Sequence, residues 1–93
     1  MEVPGDVIDE LFEIMDRLMI CFGNITDDTH KRDIIAEKMK ILHKEFEKLK
    51  RNYDEEVAYL MLSNKASSNK LNRILSKLIV LRDNNREILT NLQ

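Results

Sequence analysis

His30, His43 and Cys21 are the side chains of this 93-residue sequence best suited to metal binding or nucleophilic chemistry. Their spacing supports neither. The histidines lie 13 residues apart with no cysteine or carboxylate at a recognised ligand interval, and there is no HExxH, no CxxC and no second cysteine. Both histidines read as surface residues of helices. Cys21 sits in the apolar run Leu18-Met19-Ile20-Cys21-Phe22, which makes it a small buried hydrophobe of a reducing compartment rather than a reactive thiol. Gly5 and Gly23 are the only glycines, so neither a P-loop nor a dinucleotide fingerprint can be built. The carboxylates are many, but they line long helix surfaces that offer no cleft to desolvate one. No catalysis, cofactor or metal ion is expected.

What remains is the chemistry of association, carried by apolar side chains at helical spacing. From Gly23 to the C-terminus, 70 residues run without a glycine or proline. Through them passes the stripe Ile35, Met39, Leu42, Phe46, Leu49, Tyr53, Val57, Leu60, resuming at Leu71, Ile74, Leu78, Leu81, Ile88 and Leu92. This 3-4 alternation is the period of a helix seam buried against another helix. The steps from Leu49 to Tyr53 to Val57 are 4-4, a slip that relaxes the supercoil or marks a change of packing neighbour.

The elements follow from these patterns. Asp6, after Pro4-Gly5, is a competent N-cap for a helix over about 6–22 that Gly23 would end in a left-handed conformation. That helix carries two adjacent stripes, Val7, Leu11, Ile14, Leu18, Cys21 and Ile8, Phe12, Met15, Met19, Phe22, a face too wide for one neighbouring helix to cover. Thr26 or Asp27 caps a second helix over about 27–63. Ser67 or Ser68 caps a third over about 69–92. Residues 63–69 keep the seam in phase but make it polar at Asn64 and Ser67, so a turn is expected there in preference to one continuous helix. The fold class is all-α: one domain over 1–93, a short N-terminal helix followed by a long antiparallel helical hairpin, coiled-coil-like and elongated. The first and third helices should meet near the middle of the second, leaving much of the length two helices thick.

Charge is distributed in blocks. Residues 1–28 hold eight acids and one base, and residues 29–52 hold eight bases and four acids. Folding the first helix onto the second would oppose them, and Asp54-Glu55-Glu56 would face Lys70, Arg73 and Lys77. The basic block is interleaved with acids in a chain of net charge −2, and Phe46 and Tyr53 lie on the buried stripe, so nucleic acid is not the expected partner. No apolar run approaches the roughly 20 residues of a membrane span. Met1 to Asp16 is studded with acids, so a signal peptide is not expected and the chain reads as intracellular, nuclear or cytoplasmic.

Three surfaces exceed what a three-helix arrangement can cover internally. Helix one offers Leu11, Phe12, Met15, Leu18, Met19 and Phe22; the run Val57-Ala58-Tyr59-Leu60-Met61-Leu62 is apolar all round; and helix three adds Leu75, Ile79, Val80 and Leu89 beside its seam. Val57, Leu60, Met61 and Leu62 are the candidate contacts of that run. Asn85, at a seam position between Leu81 and Ile88, is a candidate for fixing register and partner number. At this length a chain buries only about 60–65% of its unfolded surface, which also favours association. The outline resembles the small coiled-coil subunits of large intracellular assemblies such as Mediator, kinetochore or synaptonemal complexes, in architecture only and with no residue carried over. The expected function is a non-catalytic helical subunit or adaptor that assembles with itself or another helical chain. The alternatives are a homodimeric spacer or rod, and a nucleic-acid-associated accessory protein using the basic face 38–51.

Overall fold

Pro4 opens the first helix two residues before the expected Asp6. Proline suits this first position because its fixed φ is already helical and the N–H it lacks would have no partner there. The computed structural model describes residues 2–63 and 69–92, with α1 over Pro4–Asn24, α2 over Thr29–Leu62 and α3 over Asn69–Leu92. Val3 is the N-cap of α1 without a side-chain hydrogen bond, and the Val7 N–H donates to the Val3 carbonyl at 3.1 Å. Asp6 instead lies in the first turn, near the positive end of the helix dipole. Gly23 is helical and no described residue has a positive φ, so the left-handed stop is not used. The helix ends at Ile25, whose extended backbone donates its N–H to Phe22 at 3.3 Å.

The cap of α2 is Asp28, not Thr26 or Asp27. Its carboxylate accepts the Lys31 N–H at 2.9 Å, satisfying one of the orphan donors of the first turn. The expected turn at 63–69 falls on residues 64–68, which lie outside the described residues. The elements on either side define the topology: α2 ends at Leu62, and α3 runs back along it with Lys70 3.5 Å from Glu56.

All three helices pack on one another. Their lengths explain why: 21 and 24 residues for α1 and α3 together exceed the 34 of α2. The excess of about 11 residues, roughly 16 Å at 1.5 Å per residue, leaves α1 and α3 side by side instead of end to end. They run parallel, with Glu10 of α1 beside both Arg82 and Arg86 of α3. The middle of the molecule is thus three helices thick, and only its two ends are two helices thick. The whole measures 57 × 22 × 15 Å.

The core fills this three-helix section. Val7, Leu11, Ile14 and Leu18 from α1 meet Leu42, Phe46 and Leu49 from α2 and Ile74, Leu78 and Leu89 from α3. Along α2 the buried residues stop at Leu49, and Tyr53, Val57 and Leu60 are only half-buried. The 4-4 slip therefore coincides with the loss of a neighbour. The Phe12–Phe46 contact places α1 on antiparallel α2, so eight residues earlier on α1, at Pro4, lies level with about Asp54.

Two expectations about α3 and its charges need correction. Its buried face is Ile74, Leu78, Arg82, Asn85 and Leu89, while Leu81, Ile88 and Leu92 of the expected seam are half-buried. The face rotates toward α1 because α3 has two neighbours over its second half. For the same reason Glu10 of α1, and Glu2 just before that helix, find their partners on α3, at Arg82 and Arg86. No ion pair joins α1 to α2 among the described residues. The expected pairing of Glu56 with Lys70 is present.

Candidate interaction groove

Once the core is filled, the second stripe of α1 has no third helix to cover it. Leu11 and Leu18, expected at an interface, are enclosed by α2 and α3 and leave no surface to offer a partner. Phe12 and Met19, one residue further along, are 47% and 61% exposed, and Met15 and Phe22 are half-buried. Met15, Met19 and Phe22 form one wall of a groove between α1 and α2, and Phe12 lines the depression that continues it. The opposite wall is Ala36, Met39, Lys40, Leu42 and His43 from α2, enclosing about 350 Å³ with an almost wholly apolar lining.

The groove has defined ends. At the α1–α2 connection, the Arg32 guanidinium lies 4.6 Å over the Phe22 ring, a cation–π contact that closes it. At the other end, Phe12 and Phe46 meet edge to face, centroids 5.0 Å apart and planes at 70°. Beyond that pair a second depression, sharing Met15 and His43, runs on to Arg51, Asp54 and Glu55. His43 Nε2 lies 3.0 Å from Glu47 and Lys50 Nζ 2.9 Å from Asp54, both pairs along the α2 side. Ala36, Met39 and His43 were missed as groove residues in the sequence reading. Their 3-4 spacing runs beside the α2 core stripe, but which flank stays open depends on where α3 lies.

The remaining candidates fall elsewhere. Met61 and Leu62 are 82% and 90% exposed at the two-helix end, where Val57 and Leu60 are half-buried. Leu75 and Ile79 pack against the internal core, half-buried. Asn85 is buried inside the chain and donates from Nδ2 to the Leu81 carbonyl at 2.8 Å. The structure does not bring the 57–62 run and the α1 stripe into one surface. Of the other residues expected beside the seam of helix three, Val80 is exposed and Leu89 is buried in the core, while Ile34 and Ile41, exposed on α2, were not singled out from sequence.

Among the described residues one charged group stands inside the core. Arg82 is only 6% exposed and reaches Glu2, Glu10 at 3.6 Å and Asp83 at 2.9 Å. The hydrogen bond to Glu2 holds its proton well beyond the ordinary guanidinium range, against the opposing effect of burial. Among the described residues no three His, Cys, Asp or Glu side chains converge as a metal site would require, and no helix is long and apolar enough to cross a membrane. Cys21 is a free, half-buried thiol. No family model, no curated protein and no solved structure matches this chain.

Proposed function

We propose that this chain is a non-catalytic helical interaction subunit or adaptor, and that the α1–α2 groove is its principal docking surface. The observation that carries the reading is the exposure of Phe12 and Met19 beside a core already complete without them. Two antiparallel helices with an apolar furrow between them suit amphipathic helices of a partner packed over the furrow, anchored by side chains at 3-4 spacing. Fully covering a Phe or Met contributes about 1.5–3 kcal/mol, so completing the burial of Phe12, Met15, Met19, Phe22 and Met39 supports a specific complex of several kcal/mol after the costs of association. Met61 and Leu62 form a second, smaller apolar surface at the far end.

A photo-crosslinking amino acid placed at Met19 tests this in living cells of the native source. The expected result is a discrete protein adduct at Met19, with Met61 as a second probe and exposed Asp33 as the control. If Met19 yields no adduct above that of Asp33, the groove is not a docking surface. Helical content measured on the purified chain controls for misfolding.

A further inference from the structure

Unpaired acids of α1 border the groove on one side and unpaired bases of α2, interleaved with acids, border it on the other. Going round α1 from the core, Phe12 and Met19 come first, and roughly 60° further, at about 100° per residue, stand Asp9 and Asp16. Both acids are exposed. On α2, Lys40 and Arg51 stand outward of His43 in the same way, also exposed. None of these four side chains forms an ion pair among the described residues. Of the acids on the α2 rim, Asp54 is paired with Lys50, and Glu47 lies 3.0 Å from His43 Nε2, a partner that carries charge only when protonated.

The rims also match in level. Phe12 lies beside Phe46 and the two helices are antiparallel, so Asp16, four residues on, is level with Leu42, between Lys40 and Lys44. Asp9, three residues back, is level with Leu49, two residues from Arg51. Within one chain the open groove separates these charges. We infer that the occupant of the groove is a second copy of this chain, related by a two-fold axis parallel to the bundle. Such an axis preserves level, so it sets each α1 over the other copy's α2, with Asp16 opposite Lys40 and Asp9 opposite Arg51. Phe12 and Met19 of both copies then meet at the centre of a four-helix core. A two-fold crossing the bundle at right angles sets α1 on α1 and acid on acid. The rims therefore select one symmetric arrangement, which closes at two copies.

The inference rests on the groove being a docking surface, and a charge exchange tests it separately. In sedimentation velocity at micromolar concentration the wild-type chain should be a dimer. The double variant Asp9→Lys with Asp16→Lys, and the double variant Lys40→Glu with Arg51→Glu, should each dissociate, their dimer Kd raised about tenfold or more by like charges in register. An equal mixture of the two should restore a heterodimer of wild-type strength. A monomeric wild-type chain, a variant that dimerises as the wild type does, or a mixture that stays monomeric would each overturn the inference. Met19 adducts to a different protein alongside a monomeric wild-type chain would leave the groove reading standing and remove the second copy. Circular dichroism checks folding, and should a double variant lose helicity, Asp16→Lys and Lys40→Glu mixed in the same way carry the test.

Discussion

Phe12 of α1 presents its ring edge to Phe46 of α2 across 5.0 Å, and one partner is half exposed while the other is buried. The contact sets the level of α1 on α2. It also makes the two rings unequal in energy. Phe46→Ala should open a cavity in the three-helix core and cost about 3–5 kcal/mol in urea denaturation. Phe12→Ala loses the edge contact and half a side chain of burial, about 1–2 kcal/mol. Equal costs for the two variants would mean that the second stripe of α1 is part of the internal core rather than a free wall.

Helix number, the α3 boundaries and the hairpin direction were legible because periodicity and missing glycines act locally. The side-by-side placement of α1 and α3 was not, since it follows from the excess length of two helices over the third and appears in no local pattern. Arg82 illustrates the consequence. A guanidinium four residues from Leu78 reads as solvated until α1 is known to lie beside it with Glu2 and Glu10. The groove was half legible for the same reason: the double stripe of α1 showed that a face was left over, while its α2 wall of Ala36, Met39 and His43 required knowing which flank α3 had taken.

Arg82 is buried but its acidic partners are not, with the Glu2 and Glu10 side chains 45% and 34% exposed. Replacing the arginine by an apolar residue of similar length therefore leaves two carboxylates free to hydrate. Arg82→Met should stay within about 1 kcal/mol of wild type, because removing a buried charge offsets the lost ion pairs. Arg82→Ala should cost about 2–4 kcal/mol through the void it leaves. The reverse order in urea denaturation would assign the stability to the charges and not to the packing. The folded-state pKa of Arg82 is raised, so its contribution is fully present below the ordinary guanidinium value and is lost only as pH rises beyond it. Its clamp on the start of α1 should thus be independent of pH through the neutral range.

Asn85 offers the clearest distinction between a residue that specifies a partner and one that merely occupies a core. Its side chain is 7% exposed among Leu78, Leu89 and the other core residues, and its Nδ2 donates to Leu81, one turn back on its own helix. A polar group that sets register or partner number must be satisfied by another helix, so that the wrong pairing leaves it unsatisfied. Here the hydrogen bond is local and survives any rearrangement of the neighbours. Asn85→Leu should therefore lose only that bond while gaining apolar burial, against some crowding from the larger side chain. The expected net effect is a gain of about 1 kcal/mol, or a rise in Tm of roughly 4–8 °C for a domain of this size. Thermal unfolding followed by circular dichroism measures the gain, and sedimentation equilibrium should find the same molecular mass as for the wild-type chain. A change in mass, or a loss of stability, would make Asn85 a determinant of assembly and require a polar partner for it on another helix.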